Sequence, residues 1–274
     1  MSAQAPVLTF LSDYGLADDF VGVCHGVILQ ICPAARIIDL THGIPRHDAL
    51  AGALSLAGSL PYMPPGVHLA VVDPDVGASR RAVALRFGDG RQFVGPDNGL
   101  ASLVAPAFGG VVQAADIAHS RYRLEPVSAT FHGRDIFAPV APHLAAGVPL
   151  ADVGAPVDPD TLVTLELPGP AVQAGGAIVA RVVYVDGFGN VQLNVSHDEL
   201  AAWGLKLARP LRVSVADGAT RVPATFVRTF AEVSEGSLLV YEDAYRRLAV
   251  AVSHGDAAVR LGAAPGAEIR IEPA

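Results

Sequence analysis

Lysine is nearly missing from this chain of 274 residues: Lys206 is the only one among 19 basic side chains. It stands between Leu205 and Leu207 with no glycine-rich loop beside it, which argues against Schiff-base or lysine–phosphate chemistry. Cysteine is as scarce. Cys24 and Cys32 are the only two, too few for a disulfide framework or a cysteine zinc site. Long apolar runs are missing too. The stretch Val67–Val72, broken by His68, falls well short of the roughly 20 residues that span a bilayer. The first ten residues lack a basic segment ahead of their apolar ones, so no secretory signal is evident. Basic charge is in deficit, with 27 acidic against 19 basic residues and a formal charge of −8. A nucleic-acid scaffold needs the opposite sign to displace counterions from phosphates. These absences predict a soluble cytoplasmic protein that engages neither membrane nor nucleic acid.

Familiar site signatures are absent as well. No Gly-x-Gly-x-x-Gly follows a strand, and no Gly-x-x-x-x-Gly-Lys-Ser/Thr occurs, so a pyrophosphate-bearing cofactor has no obvious cradle. No His-Glu-x-x-His or clustered carboxylate–histidine set suggests a metal, and no Gly-x-Ser-x-Gly suggests a serine nucleophile. The expectation is therefore no metal and no cofactor.

The chain does hold a sizeable core, with 51% apolar and 17% charged residues. Val7–Leu11, Arg36–Leu40 and Val67–Val72 read as strands, followed by shorter ones at 82–85 and 92–94. Between them, Phe20, Val23, Val27, Ile28 and Ile31 recur at helical spacing, with Asp18 and Asp19 placed to cap the helix and Pro33 to stop it. Asp48 opens a second helix through Leu50, Leu54 and Leu60, ended by Pro61. This βαβαβ order predicts an α/β domain over residues 1–160 with a largely parallel central sheet. Prolines 156, 159, 168 and 170 mark a linker near 161–172. Short β-type segments then recur from Ile178 to Ile271, which predicts a smaller all-β, barrel-like domain over 173–274.

Ligands of open parallel sheets lie beyond the carboxyl ends of the strands, and Asp13, Asp73 and Asn98 each follow a predicted strand. Asp13 can accept two hydrogen bonds from vicinal ribose hydroxyls; a turn or cap aspartate is the plainer alternative. In Val71-Val-Asp-Pro-Asp-Val-Gly-Ala-Ser-Arg80, Arg80 can fold back toward Asp73, either as a structural ion pair or as fixed positive charge that stabilises a forming hydroxide. Gly95-Pro-Asp-Asn-Gly99 is a turn by composition. Ser128-Ala-Thr-Phe-His-Gly-Arg-Asp135 resembles a loop entering a helix, and sets His132 apart among nine histidines, whereas His25 and His143 read as packed or surface residues. Tyr184-Val-Asp-Gly-Phe-Gly-Asn-Val191 joins two strands. Asp186 and Asn190 can serve as hairpin residues alone, but Phe188 between glycines offers a ring for stacking.

Taken together in order and spacing, these segments resemble the S-adenosyl-L-methionine hydroxide adenosyltransferases, hydrolase relatives of the fluorinating and chlorinating enzymes that also consume S-adenosylmethionine. The likeness runs nearly end to end: Thr9–Gly15, His42-Gly-Ile-Pro45, Val71–Arg80, Gly95–Leu100, Thr130–Asp135, Asp186–Asn190 and the Leu248–Ala258 tail. It implies an N-terminal α/β domain, a C-terminal β-barrel and a homotrimer with its small-molecule site between one subunit's first domain and its neighbour's second. Asp13 would hold the ribose hydroxyls. Asn98 and Asp186 would contact the methionine or ribose part, and Phe188 and Asn190 would line the adenine pocket. The family's Asp, Arg and His triad maps onto Asp73, Arg80 and His132. Halogenating relatives carry tyrosine where Asp73 stands, and the fluorinating enzyme carries serine where Gly133 stands, so the hydrolase branch is implied. One departure is Asp75, in a position the family usually fills with glycine; a requirement for positive φ there would strain it, and its carboxylate could compete for Arg80.

The chemistry so implied is displacement at C5′ of the ribose. The sulfonium departs as a neutral thioether, so no acid is needed, but water is a poor nucleophile with a pKa of about 15.7. Arg80 and His132 would bind and polarise one water, with Asp73 orienting Arg80 and helping accept the proton. Two other readings stay open: transfer of a halide to give a 5′-halo-5′-deoxyadenosine, and a non-catalytic module that binds S-adenosylmethionine or adenosine.

Overall fold

The computed structural model describes residues 5–173, 175–215 and 221–274. They divide into two compact units, residues 1–165 and 166–274, a boundary inside the span that proline content marks as linker.

The first unit alternates strands and helices: β1 Val7–Ser12, α1 Phe20–Ile31, β2 Arg36–Thr41, α2 Ala49–Ser59, β3 Val67–Val71, β4 Ala82–Phe87, β5 Gln92–Pro96, β6 Val111–Asp116, α3 Ala138–Ala145 and β7 Ala155–Val157. They form one sheet in the order β2-β1-β3-β5-β4-β6-β7. The parallel pairing expected from sequence holds across β2, β1, β3 and β5. The other three strands run antiparallel, because β5 returns beside β4 through a tight hairpin whose Gly90 N–H donates to Phe87 O.

Period-two alternation divides β1 between two cores. Leu8 and Phe10 pack into the cluster that holds Val21, Cys24 and Ile28 of α1 and Val140, Ala141 and Leu144 of α3. Leu11 points to the other face, beside Gly52 of α2. The α1 residues recur at i, i+3 and i+7, which gives the helix one apolar stripe. Asp48 caps α2 as its position suggests, accepting from Ala51 N at 2.9 Å. Asp19 does not repeat this: it occupies the cap position of α1, but its side chain makes no cap bond.

The second unit comprises β8 Ala171–Val172, β9 Ile178–Val185, β10 Val191–Ser196, α4 His197–Trp203, β11 Pro210–Val215, β12 Val222–Phe226, β13 Leu238–Glu242, β14 Arg247–Val252, α5 Ala257–Leu261 and β15 Glu268–Pro273. The order β10-β14-β13-β12-β11-β15-β9 closes on itself through β9–β10 pairing, giving a seven-stranded barrel with β8 added alongside β9. Closure removes the exposed edges that an open sheet would leave. Val182, Val191, Leu193, Val213, Val240, Val250 and Ile271 fill its interior. Among the described residues, no helix is long and apolar enough to cross a membrane.

Candidate active site

Strand order explains why two distant aspartates come together. The chain leaves β1 for β2 on one side and returns to β3 on the other, so the carboxyl ends of β1 and β3 flank the point where the winding reverses, the place where such sheets open a crevice. Ser12 is in register with Val71. Asp13 and Asp73 therefore follow neighbouring strand ends.

Asp73 is tied to Arg80 by two hydrogen bonds. Arg80 Nε donates to Oδ1 at 2.8 Å, and Nη2 donates to Oδ2. The paired side chains are only 8% and 6% exposed. Arg80 Nη2 also donates to His132 Nδ1 at 2.8 Å, and the guanidinium lies 5.3 Å from the Phe137 ring centroid. An arginine has no acceptor to offer. Nδ1 of His132 must then hold the lone pair, so the neutral ring carries its proton on Nε2. Burial, followed by the nearby Arg80 charge, keeps the His132 pKa below the usual histidine value.

Local folding brings the two loops to this distance. Gly77 adopts φ +80°, and a Cβ there would stand 2.4 Å from the carbonyl oxygen of Ala129. Only glycine lets the Arg80 loop lie so close to the loop that carries His132. Past His132, a π-helical turn over Gly133–Phe137 leads into α3. The charges that open it serve its own folding: buried Asp135 accepts from Arg134 Nε at 2.6 Å and from Ser128 N at 2.8 Å. Gly133 is required by contact, since a Cβ would stand 1.9 Å from Tyr14 Oη.

Asp13, Asp73 and His132 line one cleft of about 310 Å³. Asp13 Oδ2 accepts from the backbone N–H of His47 at 2.9 Å, and His47 adopts φ +66°, a conformation few side chains favour. Tyr14, Phe20, Arg46, His47 and Thr130 are among the other residues of its walls. Sequence reasoning did not single these out, although Tyr14 and Phe20 stand in the same segment as Asp13, and His47 closely follows the His42–Pro45 motif. Tyr14 packs edge-on against Phe20 and Phe131; burial above all, then coupling to the Cys24 thiol and the Asp13 carboxylate, raises its pKa so that the phenol stays neutral.

Asn98 does not line this cleft. Its Nδ2 donates to Val72 O at 2.7 Å, bracing the residue before Asp73. Asp75 is free of the strain its position suggested, because it is not among the non-glycine residues with positive φ. Arg80 pairs with Asp73 and not with Asp75.

In the second unit, Asp186 Oδ1 accepts from the N–H groups of Phe188 and Asn190, both at 2.9 Å, and its Oδ2 accepts from Asn190 Nδ2 at 2.8 Å. The two polar residues thus build the β9–β10 turn, and the turn presents Phe188 with 81% of its surface exposed. The expectation of no clustered carboxylate–histidine set is corrected by the fold, which brings together His25, Asp39 and His42. The spacing hides this group, because His25 lies on a helix and the other two on and after a strand.

An α/β unit with a guanidinium–imidazole pair at its switch point, joined to a β-barrel that presents an aromatic hairpin, defines a class of two-domain enzymes. Residues 8–154 match the SAM hydroxide adenosyltransferase N-terminal domain, and residues 180–270 match the C-terminal domain of the same family. The chain belongs to the SAM hydroxide adenosyltransferase family. It is 50% identical over 269 residues to the (R)-S-adenosyl-L-methionine hydrolase of Salinispora tropica, covering 98% of each protein. It is 30% identical to a fluorinase of Nocardia brasiliensis over 91% of each. A crystal structure of an uncharacterized conserved protein from Thermotoga maritima superposes with a TM-score of 0.88 at 36% identity, covering 97% of this chain and 99% of that one.

Proposed function

We propose that this protein hydrolyses (R)-S-adenosyl-L-methionine to adenosine and L-methionine by in-line attack of water at C5′ of the ribose. The new C–O bond forms as the C–S bond breaks, methionine leaves as a neutral thioether, and the water gives up one proton. The (R) configuration at sulfur comes from the names of the hydrolase relatives; the residues alone point only to an activated adenosyl group.

The observation that carries this reading is the double engagement of Arg80, bonded at once to Asp73 and to His132 Nδ1. It leaves Nε2–H as the donor that His132 can offer to an oxygen in the cleft, next to a permanent cation. The Nε2–H donor stabilises developing hydroxide character, and removing one donor of this kind costs about 10²–10³ in kcat. Arg80, engaged by Asp73 and His132, does not line the cleft and adds its charge from behind the ring. With its only lone pair engaged by Arg80, His132 is a poor proton acceptor, so that role falls to Asp73 or to solvent. Holding water and sulfonium carbon in line supplies up to about 7–11 kcal/mol more. No cofactor enters this scheme, because the leaving group is already activated.

Asp13 is taken to hold the ribose hydroxyls. In a homotrimer, Phe188 and Asn190 are assigned to the adenine of a neighbouring copy's site and Asp186 to its methionine or ribose part, a placement that suits so exposed a ring as Phe188. Asn98 is assigned a contact to methionine or ribose, made beside the bond its Nδ2 donates to Val72 O. The protein is taken to act in the cytoplasm. Arg80 neutralises the Asp73 carboxylate. What weighs against halide transfer is that the hydrolase relatives matching nearly the whole chain are 39–50% identical to it and the fluorinases 27–30%. The test is incubation of the purified protein with each sulfonium epimer, with and without chloride, and mass analysis of products. Equal adenosine and methionine from the (R) epimer support the reading. A 5′-chloro nucleoside, or tight binding without methionine release, overturns it.

A further inference from the structure

Helix α1 and strand β2, at the outer edge of the first sheet, carry a polar cluster that the proposed reaction does not use. His25 Nε2 lies 2.9 Å from Asp39 Oδ1, and His42 Nε2 lies 3.1 Å from the same oxygen. The three ligand-capable atoms all fall within 4.8 Å of one another. A bridging carboxylate that accepts from two imidazoles would account for short distances alone.

His42 does not fit that simpler account. The residue is 5% exposed, and its Nε2 has no hydrogen-bond partner among the described residues. At 3.1 Å from Asp39 it is near enough for one, but the ring is not aligned as a hydrogen bond requires. A buried ring nitrogen left without a partner is costly, and here it faces an imidazole and a carboxylate. The other nitrogen, Nδ1, lies 2.7 Å from Ser12 Oγ, which also accepts from Tyr14 N at 3.3 Å. With Nδ1–H donating to Ser12, Nε2 presents its lone pair to the cluster. That is the supporting bond that orients metal-ligating histidines.

We propose that His25, Asp39 and His42 form a binding site for a divalent transition metal, with Zn²⁺ the ion matched to two imidazoles and a carboxylate. Zinc bonds of about 2.0–2.2 Å place tetrahedral ligand atoms roughly 3.3 Å apart. The two histidine–aspartate spacings need to widen by only a few tenths of an ångström, the two imidazole nitrogens lie within 4.8 Å of each other, and Asp39, with 41% of its side chain exposed, has room to shift. His25 and Asp39 both reach solvent, so water can take the fourth position. The Phe10 ring packs 4.7 Å from the His42 ring and gives the site an apolar floor. The ion would act as a clamp. It ties α1 to β2, and through the His42 carbonyl, which accepts from Gly15 N at 2.7 Å, it steadies the loop that carries Asp13.

The test uses the whole protein, treated with chelator and then titrated with Zn²⁺ alone, with bound metal counted and the thermal midpoint recorded. One zinc per chain is expected, with a midpoint rise of roughly 5–10 °C when free zinc exceeds its Kd about a hundredfold. Asp39→Asn and His25→Ala alter partly exposed side chains; each is expected to fold as the parent does and to lose both the bound ion and the rise. His42→Ala is avoided, because it empties a buried position. A parent that takes up no zinc, or variants that keep the ion and the shift, would overturn the proposal. Neither readout involves turnover, so this result and the fate of the hydrolase reading stay distinguishable.

Discussion

Replacing Asp73 with asparagine would leave the Arg80 guanidinium buried without its counter-ion. Asparagine keeps the shape and one carbonyl acceptor but removes the charge and the second acceptor, so the two-point grip on Nε and Nη2 is lost. With both partners more than nine-tenths buried, the pair belongs with those whose breakage costs about 3–5 kcal/mol. In a unit of this size each kcal/mol moves the midpoint by roughly 2–4 °C, which predicts a fall of about 6–20 °C. Turnover should fall further than stability explains. Arg80 would lose the anchor that aims it at His132 Nδ1, and the Nε2–H donor would lose its aim with it, for a loss of about 10²-fold. The assays are a thermal melt and single-turnover release of methionine, run below the variant's midpoint. A variant as stable as the parent and equally fast would refute the assignment of a buried, working ion pair.

Three further outcomes follow from the same geometry. His132 must be neutral to accept from Arg80, and its pKa is depressed, so the rate should hold at neutral pH and fall only below the ordinary histidine value of 6.5; an acid limb centred above that value contradicts the assigned tautomer. Gly133→Ser drives a Cβ to 1.9 Å from Tyr14 Oη, an overpacking that should cost roughly 1–3 kcal/mol in a urea melt, with partial recovery when Tyr14→Phe is added. Buried His68, whose pKa burial pushes down to about 4, binds fewer protons folded than unfolded; its stabilisation is full above 6.5 and should be lost as pH falls toward 4, by about 3 kcal/mol, a slope that His68→Gln should flatten.

What sequence reveals here depends on how local the cause is. The buried run of β1 and the β-branched residues of β9 show themselves because most of their neighbours favour the same state, and Asp48 marks the start of α2 by a cap bond three residues long. Helix α4 hides in a strand-rich stretch, although Ser196 and Glu199 spell out its capping box; at seven residues it has too few turns for periodicity to register. Asp73 and Arg80 are seven residues apart and their pairing can be guessed. The contact of Arg80 with His132 spans 52 residues and depends on Gly77 lying against Ala129, which no spacing rule encodes. Asn98 shows the converse: its place after a strand suggests a ligand contact, while its amide is engaged by Val72. The His25–Asp39–His42 group needs the helix laid on the strand before it exists at all.

The most direct measurement runs the reaction on the (R) epimer in ¹⁸O-enriched water and weighs the nucleoside. A single heavy oxygen at C5′ of adenosine, with methionine unlabelled, is the predicted result. Adenosine that carries only light oxygen, or label in methionine instead, would contradict attack by solvent at that carbon.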